Sequence, residues 1–95
     1  MTREIHIQSY FSRPTDLAGQ MRNWPEFVSG AEYSVQLKNE QTGEVVEVSL
    51  VEPHDERPYV SVKSPNSGSL FDRVLGKVVY ALSEHSDDLI VDRFA

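Results

Sequence analysis

Cysteine is absent from this 95-residue sequence, which excludes disulfides, thiolate nucleophiles and cysteine-ligated metals together. Hydrophobic burial must therefore supply most of the stability, and the lack of cysteine is typical of proteins in a reducing compartment. No stretch approaches the roughly 20 apolar residues of a membrane span, and residues 1–11 lack the apolar block of a signal peptide. We therefore expect a cytoplasmic protein that has no membrane partner.

Motifs that carry catalysis or bind cofactors are also missing. The five glycines are scattered and form no phosphate-binding loop, and no elbow-type motif surrounds any serine. His54, Asp55 and Glu56 are contiguous, but adjacent residues of an extended loop point in different directions, so this run favours a solvated acidic loop. We expect no enzyme activity, no cofactor and no metal site, and therefore a protein that binds something.

Positive charge is scarce, and the formal net charge is −6. Residues 40–56 contain six acids and no Lys or Arg, so this segment alone accounts for the net charge, whereas residues 57–83 carry a local charge of +3. This distribution predicts a dipolar surface and argues against nonspecific attraction to nucleic acid. The length and the 39% hydrophobic content indicate one folded domain over residues 1–95.

Hydrophobic periodicity predicts the first elements. Residues 5–11 alternate apolar and polar side chains, which indicates a half-buried strand. Leu17, Met21 and Trp24 recur on one face of a helix that starts near residues 12–16. Pro25 should break this helix at Trp24, with a further turn over residues 25–28 that Gly30 ends.

Three further strands and a second helix follow. Residues 33–37 and 46–50 alternate around a turn-rich loop and predict a hairpin, and residues 60–62 extend it. Ser69 begins a helix with a wide apolar stripe over residues 70–82. Residues 87–95 form either an acidic tail or a short fifth strand. The fold class is α+β, a two-layer sandwich of order β-α-β-β-β-α, with a C-terminal strand left open and both helices on one face of a mainly antiparallel sheet.

The second sheet face should be uncovered and polar. Alternation places Tyr10 and Tyr59 on it, where an aromatic ring can stack on a base or enter a protein pocket. A free edge strand would also allow a homodimer. Gly76, inside helix two, is interpreted as a site of close packing between that helix and the sheet.

Two stretches resemble a known family. Residues 5–8 followed by residues 15–17 are similar to an I-x-I-x strand and a helix-starting T-D pair, and residues 71–85 are similar to an amphipathic ID-x-L-x-x-KL-x-x-QL-x-KH helix. Together with the predicted order of elements, these stretches resemble the ribosome hibernation-promoting factors, also called ribosome-associated inhibitors. The resemblance implies RNA binding in the decoding region of the small ribosomal subunit, which would regulate translation by occlusion.

The resemblance implies RNA contacts by Lys77, which matches the motif lysine, and by Arg73, one turn earlier. Lys63 and Arg22 are further basic candidates for nucleic-acid binding.

A second hypothesis follows from charge alone. An acidic protein-binding module, for instance an inhibitor of the immunity-protein type, would use a negative hairpin to attract a basic partner protein. Its contact residues would be Glu44 and Glu47 of the hairpin together with Tyr10 and Tyr59.

Overall fold

The computed structural model shows an α+β fold of six strands and two helices. It describes residues 3–9, 17–30, 34–51, 59–65, 68–83 and 89–93. The elements, in chain order, are β1 (Arg3–Ser9), α1 (Leu17–Met21), β2 (Phe27–Gly30), β3 (Ser34–Lys38), β4 (Val45–Val51), β5 (Tyr59–Ser64), α2 (Ser69–Ser83) and β6 (Leu89–Arg93).

All strands belong to one antiparallel sheet with the spatial order β2-β3-β4-β5-β1-β6. The strands β2 to β5 follow each other in sequence and in space. The first strand lies between β5 and β6, so the edges of the sheet are β2 and β6. Two strands are thus added to the predicted order β-α-β-β-β-α.

The additional strand β2 corrects the prediction of a turn that extends to residue 28. The turn is real but ends earlier, because the backbone N–H of Phe27 donates to the Trp24 carbonyl at 3.1 Å and the chain then extends. From Phe27 onwards the backbone pairs with β3, with an irregularity in register between Phe27 and Ser29. Pairing with β3 therefore outweighs the local turn signals of Pro25 and Gly30.

The helix α1 is also shorter than predicted at its C-terminal end. It ends at Met21, and the N–H groups of Asn23 and Trp24 then donate to the Gln20 and Met21 carbonyls, at 3.0 and 3.1 Å. These bonds close single turns and leave Trp24 in the turn that leads to β2. The predicted start of α1, over residues 12–16, lies outside the described residues.

The hairpin β3–β4 has the predicted position. The Asn39 side-chain carbonyl accepts a hydrogen bond from the Gln41 N–H at 2.9 Å, and Gly43 has a φ of 76°, which favours glycine.

At the other end of the chain, β6 pairs with β1, so the segment that sequence reasoning left open is a strand.

The hydrophobic core lies between the sheet and the helices. The helix α2 packs against β4 and β5, and α1 packs against α2 and β3. Leu75 and Val79 of the predicted α2 stripe are only partly buried. The buried apolar side chains are Ile7, Met21, Val35, Leu37, Val46, Val48, Val60, Val62, Leu70, Phe71, Val74, Val78, Ala81 and Leu82.

Candidate functional site

Two surfaces of the described residues combine charged and aromatic side chains. One surrounds Glu26 on the helical side of the sheet, and the other is the sheet face that points away from α2, called the open face below. Alternation along the strands assigns residues to the open face, because every second side chain of β3, β4 and β5 is buried under the helices.

The Glu26 carboxylate forms ion pairs with two basic side chains of α2, Lys77 and Arg73. Glu26 lies in the turn between α1 and β2, and its side chain is 10% exposed. Lys77 Nζ lies 3.2 Å from each carboxylate oxygen, and Arg73 Nη1 lies 3.7 Å from Oε1. Since Arg73 and Lys77 are one helical turn apart, a single buried acid offsets part of the charge of both.

The charge state of Glu26 follows from opposing effects. Burial by itself raises the pKa of its carboxyl. Hydrogen bonds from its own backbone N–H and from Lys77, together with the charges of Lys77 and Arg73, lower the pKa by more, so the net shift is below the ordinary value. Glu26 is therefore ionised at neutral pH and remains paired with both cations.

An open groove borders this cluster between the two helices. Its volume is about 460 Å³, and the Trp24 ring that forms one wall has Lys77 Nζ 5.1 Å from its centroid. Tyr80, which also lines the groove, is 71% exposed. Among the described residues, the groove is lined by Gln20, Trp24, Gly76, Lys77, Tyr80 and Ala81.

Gly76 does not have the packing role predicted from the sequence. It is exposed, and nothing lies within 4 Å of the position that a Cβ would take. Its φ is not positive either, so neither packing nor backbone conformation requires glycine. A glycine inside a helix costs about 1 kcal/mol relative to alanine, and here the fold gains nothing visible in return.

The centre of the open face contains an aromatic stack. The His6 and Tyr59 rings lie 4.4 Å apart between centroids with an interplanar angle of 24°. His6 Nε2 lies 2.5 Å from Glu4 Oε2, and both side chains are largely buried. Stacking and this contact fix the His6 ring in one orientation.

Hydroxyl and charged side chains surround the stack. The strand register aligns His6, Ser61, Ser49 and Ser34 in one row across β1, β5, β4 and β3. The Ser49 hydroxyl donates to Glu47 Oε1 at 3.2 Å. In the next row, the register aligns Glu4, Lys63, Glu47 and Gln36, and a shallow depression of about 290 Å³ is lined by Gln36, Val45, Glu47, Lys63 and Pro65.

The four residues predicted to bind nucleic acid do not form one surface. Arg73 and Lys77 lie on α2 and contact Glu26, whereas Lys63 lies on the open face, on the other side of the sheet. Arg22 is exposed in the turn after α1. The sequence could not reveal the pairing with Glu26, because that residue lies 51 positions before Lys77.

The residues predicted to bind a protein do not form one surface either. Glu47 and Tyr59 are both on the open face, and Tyr10 lies outside the described residues, as do His54, Asp55 and Glu56. Glu44 instead accepts a hydrogen bond from the Leu70 backbone N–H at 3.1 Å, at the start of α2. Glu44 therefore caps a helix N-terminus, where a negative charge is favourable.

Comparisons with known proteins place the chain in no family. No family model matches it, and no curated protein and no solved structure matches it either. Neither helix in the described part of the chain is long and apolar enough to cross a membrane. Within the same residues, no three His, Asp or Glu side chains are grouped so that they could hold a metal ion.

Proposed function

We propose that this protein is a non-enzymatic binding module that engages a basic partner protein through its open face. The observation that carries the proposal is the His6–Tyr59 stack with acidic side chains beside it. The Tyr59 ring is partly exposed and is held against the largely buried His6 ring, so it offers rigid contact area, which is typical of the centre of protein interfaces. In the described part of the chain, both helices pack against the opposite face of the sheet, which supports a partner on this one.

Charge supports a basic partner. The chain has a net charge of −6, and the open face carries the exposed acid Glu47 near Lys63 and Lys38, whereas Glu4 is largely buried against His6. Acidic groups at the rim of an interface attract a positively charged protein and accelerate association at low salt. Glu47 is exposed, so it is available for this role.

Two substitutions that add the same charge at different places test the proposal. Gln36 is exposed on the open face and pairs with Glu47, and Asn23 is exposed in the turn after α1. We expect Gln36→Arg to weaken binding to a captured basic partner about tenfold or more, because like charges then meet at the interface. We expect Asn23→Arg to change the affinity less than about twofold.

The measurement is affinity capture from native lysate, identification by mass spectrometry, and a binding titration of each variant with the identified partner. A basic partner that is lost with Gln36→Arg and retained with Asn23→Arg supports the proposal. Equal affinities of the two variants would show that the partner contacts another surface. Capture of an acidic partner would contradict the role of charge.

The second candidate is binding to the small ribosomal subunit, which the resemblance to hibernation-promoting factors implies. The observation that favours it is the Arg73 side chain, which is 52% exposed although it contacts Glu26. If Arg73 contacts phosphate, Arg73→Gln should lower the slope of log K against log salt by about 0.7–0.9. Sedimentation with ribosomes at low salt tests this candidate, and a protein that stays at the top of the gradient contradicts it.

A further inference from the structure

We infer that the groove between α1 and α2 is a second binding site, which accepts an apolar side chain of a partner segment that also carries a carboxylate. The groove lies on the opposite side of the sheet from the open face. It is therefore independent of the proposed function, and each of the two can fail without the other.

Gly76, an exposed glycine inside α2, is the first feature that points to this site. An exposed glycine in the interior of a helix lowers the stability of that helix, and no contact of Gly76 explains its presence. Gly76 lines the groove together with Trp24 and Tyr80. Glycine commonly marks places where another group approaches the backbone closely.

The walls of the groove determine the kind of group that fits. Trp24 and Tyr80 present two aromatic side chains, and Ala81 and Gly76 add apolar surface. A volume of about 460 Å³ is enough for one large side chain and its neighbours along an extended peptide. A partner aromatic ring between the two walls would gain both burial and ring–ring contact.

The charge beside the groove determines which second group the ligand should carry. Lys77 and Arg73 together face one acid, Glu26, so the cluster retains one net positive charge beside the groove. Both carboxylate oxygens of Glu26 lie within 3.2 Å of Lys77, whereas Arg73 is 3.7 Å away and half exposed, so Glu26 does not use all of the Arg73 donors. A carboxylate next to the inserted side chain complements this excess charge.

The single tryptophan of the chain makes the test direct, because Trp24 itself lines the groove. The probe is the peptide acetyl-Asp-Phe-Asp-amide, titrated against the intrinsic tryptophan fluorescence. We expect a saturable change with a dissociation constant on the order of 1 mM or lower. The peptides acetyl-Lys-Phe-Lys-amide and acetyl-Asp-Ala-Asp-amide should bind at least about tenfold more weakly.

Three substitutions distinguish a peptide that binds in the groove from one that binds elsewhere on the protein. Gly76→Ala adds a methyl group to the lining of the groove, where the ligand should approach the backbone, and should weaken the probe about tenfold, while it raises the melting temperature by about 2–8 °C through helix propensity. Gly19→Ala is the matched control, because Gly19 also has nothing within 4 Å of a Cβ position but does not line the groove. It should leave the affinity unchanged.

Tyr80→Ala removes an exposed wall and should weaken the probe with no loss of melting temperature. The inference is overturned if no peptide gives a saturable signal, or if Gly76→Ala and Tyr80→Ala both bind like the wild type. Equal binding of the acidic and basic peptides would overturn the assignment of a carboxylate.

Discussion

The two faces of the sheet come from the same strands, yet they obey different constraints. On the covered face, eight side chains of β1, β3, β4 and β5 are at most 1% exposed, and all of them except Ser64 are Val, Leu or Ile. On the open face, the same strands carry hydroxyl, amide, charged and ring side chains that are half-buried or exposed. The fold requires only that the covered face be apolar and well packed, so the composition of the open face is free to serve binding.

The largest expected effect on stability comes from placing a carboxylate on the covered face of β3, in comparison with the same substitution at the neighbouring position on the open face. Leu37→Asp places an unpaired carboxylate where the wild-type side chain is 0% exposed. We expect a loss of several kcal/mol in the free energy of unfolding, which is about as much as the whole stability of a small domain. Gln36→Asp, one residue earlier on the open face, should change it by less than about 0.5 kcal/mol.

Urea denaturation followed by circular dichroism measures both variants of β3. Similar midpoints for Leu37→Asp and Gln36→Asp would mean that the two faces are not distinguished in solution as they are in the structure.

A smaller effect is expected at Ser64, the one polar side chain that is buried among the described residues. Its hydroxyl donates to the Val45 carbonyl at 2.7 Å, and this bond connects the end of β5 to the start of β4. Ser64→Ala should lower the free energy of unfolding by about 1 kcal/mol. Ser29→Ala, at an exposed position of β2, is the control and should have almost no effect in the same denaturation series.

The smallest expected effect depends on pH and concerns Glu26, whose pKa is lower in the folded protein. A carboxyl with a lowered pKa stabilises the fold above its unfolded pKa, and this contribution is lost as the pH falls through the folded pKa. The stability difference between wild type and Glu26→Gln should therefore be greatest near neutral pH and decrease in acid.

Chemical denaturation from pH 7 to pH 3 measures this difference, with Glu40→Gln at an exposed position as the control. A wild-type advantage that increases as the pH falls would contradict the assigned direction of the pKa shift of Glu26.

Sequence patterns predicted the elements whose side chains alternate clearly or follow a helical stripe. The hairpin β3–β4 and the helix α2 are where the periodicity placed them, because each buries one regular face. The strands β2 and β6 lie at the edges of the sheet and bury little, so their sequences carry no comparable alternation. Val28, Ile90 and Val91 are all exposed, which removes the signal that defines an inner strand.

Relations between distant residues could not be predicted from the sequence. Lys77 and Arg73 were predicted as RNA contacts from the family resemblance, and the acid that pairs with them lies in the turn between α1 and β2. Gly76 was assigned to packing because most helix glycines near a sheet have that role, and only the surrounding space shows otherwise. Glu44 was predicted to lie on a partner surface, and its hydrogen bond to the start of α2 was not predicted.

The position of β1 inside the sheet also affects the order in which the protein can fold. The strands β2 to β5 are joined by local connections and can pair as soon as each is made, whereas β1 must wait for β5 and then for β6. During synthesis, Ile5 and Ile7 therefore remain unpaired until about two-thirds of the chain has emerged. A nascent chain that stops before β5 should expose its first strand to chaperones, and only a chain that also includes α2 should bury the apolar side of that strand.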